Sequence, residues 1–271
     1  MNSVNNLAIC SIHMMRGKRK TDRGHMNKWS ILKDMIHGAD VIVEVVDARD
    51  IEGTRLPIAE RWAGSKRLML IANKKDLLPK GTVLPKLENK GIMTSAKQAD
   101  EDERWRVIRA IMDRTDKRPV KAILIGYPNV GKSSLINLLS RRKAAKVSPV
   151  AGTTTNIQWV NITPELTISD YRGIFPGKET KEDLVRKGAL NIQEDPVAYA
   201  QTLTERALKN GRLRSWLESE FDIDLKSAKT TEDILGEIGR RRGWLIKGGE
   251  PNLDEAARGL LRAFMRSPFI K

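Results

Sequence analysis

The sequence predicts an α/β fold: a doubly wound, mostly parallel sheet of the phosphate-loop type, followed by a small helical C-terminal domain. Three observations carry this. Through residues 26–170, short apolar runs suited to buried strands alternate with segments of helical period. A glycine-rich turn stands between one such run and a helix. From residue 181 onward the pattern is mainly helical.

Taken in order, residues 1–24 carry Arg16, Lys18, Arg19, Lys20 and Arg23 with no acid before Asp22. They are read as a basic, disordered segment. An RNA-binding arm is a second reading, and a transit peptide a third that lacks the amphipathic pattern. Residues 26–38 place Met26, Trp29, Leu32 and Ile36 near helical spacing, 41–47 form a core strand, and 56–62 form a second helix. Residues 67–72 and 91–93 are strands. Residues 99–112 form a helix with Trp105, Ile108, Ile111 and Met112 expected on its buried face. A buried strand at 120–127 leads through the glycine turn into a helix at 134–142 bearing Leu135, Leu138 and Leu139. Two short strands, 157–162 and 166–168, join around Thr163-Pro164-Glu165. Helices follow at 196–209, 212–218, 231–242 and 253–265, with starts marked by Thr231-Glu232-Asp233 and by Asn252. The expected partition is 1–24, a nucleotide domain at 25–178, and a helical, basic domain at 179–271.

The glycine turn, Gly126-Tyr127-Pro128-Asn129-Val130-Gly131-Lys132-Ser133, fits G-x-x-x-x-G-K-[ST] in a strand-loop-helix context. Such a turn presents backbone N–H groups and a helix N-terminus to phosphate oxygens. Lys132 would neutralise the outer phosphates and Ser133 would hold Mg²⁺, with Val130, Gly131 and Ser134 completing the cradle. Asn73-Lys74-Lys75-Asp76 follows the strand at 67–72, on the carboxyl edge where open α/β sheets bind ligands. The Asp76 carboxylate only accepts hydrogen bonds, so it suits the paired N–H donors of guanine and not adenine. The Lys74 stem could cover the base plane, and Asn73 could pin neighbouring loops. In Thr94-Ser95-Ala96-Lys97, the Ala96 amide could reach the guanine carbonyl. Downstream, Thr154 of Gly152-Thr153-Thr154 is the expected Mg²⁺-contacting threonine, with Thr153 and Thr155 as alternative registers. In Asp170-Tyr171-Arg172-Gly173, Asp170 would hold Mg²⁺ through water and Gly173 would offer its N–H to the terminal phosphate.

These five motifs are those of a GTPase, but the base-reading pair precedes the phosphate loop. That order describes a circularly permuted P-loop GTPase domain. Together with Gly24-His25-Met26, Asp47-Ala48-Arg49, Ile238-Gly239-Arg240-Arg241-Arg242-Gly243 and Gly248-Gly249, it resembles the circularly permuted GTPases of the YlqF/YawG family from about residue 23 to the C-terminus. The resemblance implies GTP and GDP as ligands with Mg²⁺, and ribosomal RNA in a large-subunit precursor as partner. It also implies a K⁺ site at Asn129, and Ile174 in place of the water-orienting glutamine of other GTPases. His25 is a candidate to orient water if its segment folds over the site; an exposed histidine without that role is the alternative. Slow intrinsic GTP hydrolysis, stimulated by K⁺ and by ribosomal particles, is the expectation.

A net charge of +15 points independently to a polyanion, RNA being the expected one; a basic surface tuned for solubility is the plainer account. Arg240, Arg241, Arg242 and Lys247 are the candidate phosphate contacts, with Trp244 beside them or else in the core. The single cysteine, Cys10, excludes an internal disulfide and a cysteine-built zinc site. No apolar run reaches membrane-spanning length, and Glu44 interrupts the run at 41–46. A cytoplasmic monomer is expected. Two function classes stand: a GTP hydrolase that turns over to leave a maturing large subunit, and a GTP-gated RNA-binding scaffold whose hydrolysis is incidental.

Overall fold

Strands β1 (Val41–Asp47), β2 (Leu68–Asn73), β3 (Ile92–Met93), β4 (Val120–Ile125), β5 (Trp159–Thr163) and β6 (Leu166–Asp170) form one sheet. Their order is β3-β2-β1-β4-β6-β5. The structure is a computed structural model that describes residues 28–64, 67–87, 91–141, 159–170, 179–190, 192–193 and 195–269, with only the backbone described at 28–31 and 170. Every strand pair is parallel except the β5–β6 hairpin. The doubly wound, mostly parallel sheet is therefore as the sequence predicts.

All seven residues of β1 are buried, as expected of a central parallel strand covered on both faces. Glu44 in its middle is fully buried. Its carboxylate accepts the Leu56 N–H and the Arg55 Nε–H, so a charge that interrupts an apolar strand holds the start of the next helix. Burial pushes the Glu44 pKa up against those contacts.

The chain runs outward from β1 to β2 to β3, then returns so that β4 lies on the other side of β1. Asp47 pairs with Asn73, and Glu44 with Ile125. The carboxyl ends of β1, β2 and β4 therefore share one edge, with the topological switch point between β1 and β4. Permuting the chain leaves this arrangement intact because β4 keeps its place beside β1 although it is fourth in sequence.

Helices α1 (Lys28–Gly38), α2 (Pro57–Ala63), α3 (Glu101–Met112) and α4 (Lys132–Ser140) flank the sheet. Leu32, Ile36, Ile71, Ile108, Ile123 and Leu135 belong to one continuous core. A smaller cluster of Val46, Ala48, Leu70 and Ala72 is separate. Helix α3 corrects one expectation. Its buried residues are Arg104, Val107, Ile108 and Ile111, whereas Trp105 is 40% exposed. The i, i+3, i+4, i+7 stripe starting at 104 wins because Arg104 can be buried with partners. Its Nε–H donates to the Leu139 carbonyl at 2.8 Å, and its Nη1 meets Glu101 at 2.9 Å.

The helical part comprises α5 (Lys181–Lys187), α6 (Pro196–Lys209), α7 (Gly211–Phe221), α8 (Thr231–Arg242) and α9 (Leu253–Phe264). Sequence spacing did not separate α5, which is only seven residues long. It is nucleated by a capping box between Thr180 and Asp183 and closed by Gly188 at φ 63°. Helix α8 spans the residues expected, 231–242, and its capping box is formed by Thr230, just before it, and Asp233. Helix α9 is a narrow amphipathic stripe. Ala256, Ala257, Leu260, Leu261 and Phe264 are buried against a second core that includes Leu203, Leu217 and Ile234. Each large side chain so buried contributes roughly 1.5–3 kcal/mol. Trp244 lies against α9, where a Cβ on Gly259 would sit 2.2 Å from its ring, so that tryptophan is packing.

Candidate nucleotide-binding site

The site grows from three strand ends. Past β4 the chain turns through residues 126–131 before α4 begins. Gly126, Asn129 and Gly131 all have positive φ, at 151°, 61° and 98°. Such alternation curls backbone N–H groups toward one point. A Cβ on Gly126 would lie 2.3 Å from the Val45 carbonyl oxygen, so the loop can pass the edge of β1 only as glycine. The start of α4 has no side-chain cap, which leaves its first N–H groups and the positive end of its dipole directed at the loop. Lys132 is 6% exposed, and its ammonium donates to the carbonyls of Gly126 (3.0 Å) and Tyr127 (2.8 Å).

Asn73, at the end of β2, ties the base-reading loops to the phosphate loop. Its Nδ2–H donates to the Val130 carbonyl and its Oδ1 accepts the Ala96 N–H, both at 3.0 Å. This is the pinning role expected from sequence. Lys74 follows in the left-handed region at φ 67°, which turns the chain into a single 3-10 turn, Lys75–Leu77, that carries Asp76. The Asp76 N–H donates to Ser95 Oγ at 2.9 Å, and the Lys75 N–H to the Thr94 carbonyl at 3.1 Å. Both motifs thereby become one surface.

Lys74 Nζ meets Asp47 Oδ2 at 2.8 Å. Burial alone would raise the Asp47 pKa. The Arg49 hydrogen bonds and the Lys74 and Arg49 charges outweigh burial and hold it below the usual carboxylate value. Lys74 moves down as well, through burial that its attraction to Asp47 only partly offsets.

A cleft of about 730 Å³ lies between the two halves, within the roughly 300–1,000 Å³ usual for ligand sites. Asp76, Ala96 and Lys97 line it from the base-reading side, and Lys132, Ser133 and Ser134 from the phosphate-loop side. Asn73, Lys74, Asn129 and Gly131 complete those walls, while Ser95 and Val130 act behind them through the bonds already given. Asp170 ends β6 opposite Leu124 of β4, which sets its backbone beside the strand that feeds the loop. Thr154, Gly173 and His25 lie outside the described residues, as does residue 174. Arg240, Arg241, Arg242 and Lys247 are exposed around the end of α8 and do not line the cleft. Arg240 pairs with Glu237, Arg241 with Asp222, and Arg242 donates to the Glu220 carbonyl.

Two details differ from the expected geometry. The Ala96 amide faces Asn73, not open cleft. The Asn129 amide donates to the carbonyls of Gly188 (3.3 Å) and Leu190 (2.8 Å), joining the phosphate loop to the end of α5. A second joint lies beside it. Tyr127 Oη donates to Glu179 at 2.7 Å, and Lys187 sits 4.8 Å over the Tyr127 ring and also pairs with Glu179. Burial and then the Glu179 carboxylate push the Tyr127 pKa up, so the phenol stays a donor. Sequence motifs flagged none of Glu179, Lys187, Arg262, Met265 or Arg266, although the last three also line the cleft.

The arrangement fits a nucleoside di- or triphosphate: a glycine cradle that a Cβ would fill, a buried ammonium, an uncapped helix start and an acceptor-only carboxylate across the cleft. The comparisons with known proteins agree. A family model described as 50S ribosome-binding GTPase matches residues 121–223. An uncharacterized GTP-binding protein of Methanocaldococcus jannaschii is 32% identical over 93% of this chain and 67% of its own length. Nucleolar GTP-binding protein 2 of Schizosaccharomyces pombe is 31% identical over 88% of this chain, which spans only 46% of that relative. The crystal structure of GNP-bound YlqF from T. maritima covers 88% of this chain and 93% of its own with a TM-score of 0.53 at 19% identity, a likeness of fold. With the motif order and the strand order both in hand, the chain belongs to the circularly permuted GTPases of the YlqF/YawG family.

Proposed function

We propose that this protein binds GTP and GDP, hydrolyses GTP slowly, and acts in assembly of the large ribosomal subunit. The observation that carries the reading is the Asn73 bridge. One side chain joins the phosphate loop to the base-reading loops, so both ends of a guanine nucleotide are gripped by one rigid unit. Asp76 then selects guanine, because an adenine edge would leave a carboxylate unpaired. Lys132 draws negative charge toward the loop, and its carbonyl bonds to Gly126 and Tyr127 hold it poised there. Mg²⁺ supplies charge neutralisation on the phosphates, with Ser133, Thr154 and Asp170 as the residues to hold it. Gly173 would sense the terminal phosphate. Ile174 cannot orient water, so turnover is slow until K⁺ near Asn129, His25, or the partner particle assists.

The relatives' names and the matched family description support the ribosomal setting, as does the +15 charge. Nucleotide state would reach the helical domain by two routes: through residues 174–178, and through the Asn129 and Tyr127 contacts to α5. Arg240, Arg241, Arg242 and Lys247 would meet rRNA phosphates. Among the described residues no helix is long and apolar enough to cross a membrane.

Asp76→Asn tests the base assignment. It should weaken GDP binding by about 100-fold or more, the scale on which a site built for a hydrogen-bonding edge rejects a mismatch. An amide offers a donor where xanthine offers a carbonyl, so xanthosine diphosphate should bind the variant better than the parent. Unchanged GDP affinity would remove Asp76 from base recognition.

A further inference from the structure

Arg262, Met265 and Arg266, at the C-terminal end of α9, line the same cleft as Asp76 and Lys132. A specific latch holds them there. The Met265 and Ser267 carbonyls accept hydrogen bonds from Arg49 Nη1 at 3.1 and 2.5 Å. The other edge of that guanidinium grips the Asp47 carboxylate, Nε at 2.8 Å and Nη2 at 2.5 Å. Asp47 in turn holds Lys74 of the base-reading loop. Arg49 is 5% exposed and Asp47 1%. A single buried guanidinium therefore links the base-reading loop to orphan carbonyls at a helix C-terminus, where a cation is favoured by the dipole. Asp47-Ala48-Arg49 is among the segments shared with the permuted GTPases, and none of the five nucleotide motifs includes it.

The two arginines beyond the latch differ. Arg262 is paired with Glu255 at 3.1 Å. Arg266 is exposed, donates its Nε–H to the Arg262 carbonyl at 3.2 Å, and forms no ion pair among the described residues. A guanidinium donates only, and its planar fork matches anionic oxygens.

The geometry points to Arg266 as a nucleotide-binding residue supplied by the helical C-terminal part, with Arg49 as the residue that positions it. The ligand atoms are the anionic oxygens of a nucleoside di- or triphosphate, so the inference rests on the proposed guanine-nucleotide reading of the cleft. The helical part thus closes one wall of the site. By linkage, bound nucleotide stabilises the docking of α9, and a partner that draws the helical part away weakens nucleotide binding.

Equilibrium titration of the full chain with N-methylanthraniloyl-GDP tests this at two salt concentrations. Arg266→Ala should weaken binding about tenfold, the scale of one charge-assisted hydrogen bond, and flatten the salt dependence. Arg266→Lys should recover part of the loss. Arg49→Ala should produce a similar loss, and Arg49→Ala/Arg266→Ala should be no worse than the weaker single variant. Arg49→Lys serves if the alanine variant does not fold by circular dichroism. Affinity of Arg266→Ala within twofold of the parent, while Asp76→Ala abolishes binding, overturns the inference and leaves the guanine site standing. Additive losses at 49 and 266 remove the positioning role of Arg49. A parent protein that binds no guanine nucleotide overturns the reading of the cleft itself.

Discussion

Asp47 sits between two cations, Arg49 at 2.5 Å and Lys74 at 2.8 Å, and is almost wholly buried. Removing it leaves both cations without their counter-ion, so Asp47→Ala should cost about 3–5 kcal/mol at neutral pH. Its folded-state pKa lies below the ordinary value of 3.8. The contribution is therefore complete above that value and declines as pH falls from there toward the folded pKa. Urea unfolding at pH 7 and pH 3 measures this: the gap between parent and variant should narrow in acid, and a constant gap would contradict the assignment. The sequence shows the residues of this cluster but not their reach, because Arg49 bonds carbonyls 216 and 218 positions away. Asn73 was legible because its partners are the neighbouring motifs that define the site. Asn129 was legible as part of the loop, while its amide turns to carbonyls just past α5, of Gly188 and Leu190, that no spacing rule identifies.

Elements were legible where their signals are local. The phosphate loop needs glycine at Gly131, which takes φ 98° and whose Cβ would meet Asn73 Nδ2 at 2.2 Å. Asn73 cannot swing aside without losing its bonds to Val130 and Ala96. Gly131→Ala should therefore weaken GDP binding by roughly 5- to 150-fold, since strain and clash of this kind cost about 1–3 kcal/mol. Calorimetric titration would show it, and an unchanged Kd would mean that the loop adapts. Helix α3 was legible as a helix, but its buried stripe was not. Hydrophobicity favoured Trp105, and a satisfied buried arginine took the inward position instead. Helix α5 was missed because its signal is a capping box on seven residues, too short to show a period. The starts of α6, α7 and α9 rest on Asp195, Asn210 and Asn252, side chains that each accept a backbone N–H three residues on.

At the scale of the whole molecule, two hydrophobic cores are joined at the nucleotide cleft. The joints are Arg49 to α9, Asn129 to the end of α5, and Tyr127 to Glu179 and Lys187. The α/β class and the permuted order were legible because motifs and periodicity are local in sequence. The docking of α9 was not, because it depends on which carbonyls a distant arginine meets. The +15 charge acts over the whole surface, and the arginines closing α8 are where it is expected to meet RNA. Replacing Arg240, Arg241 and Arg242 with alanine should weaken large-subunit rRNA binding for every sequence alike. It should also lower the slope of log K against log salt by about two to three. An unaltered slope would place the RNA contact elsewhere. The central claim is a GTPase whose turnover answers to the ribosome, and it is tested most directly by steady-state GTP hydrolysis in KCl and NaCl, with and without large ribosomal subunits. Slow basal turnover that rises with subunits, and more in K⁺, is the predicted result. Tight guanine-nucleotide binding with no stimulation in either salt would contradict it and leave a nucleotide-gated binding protein.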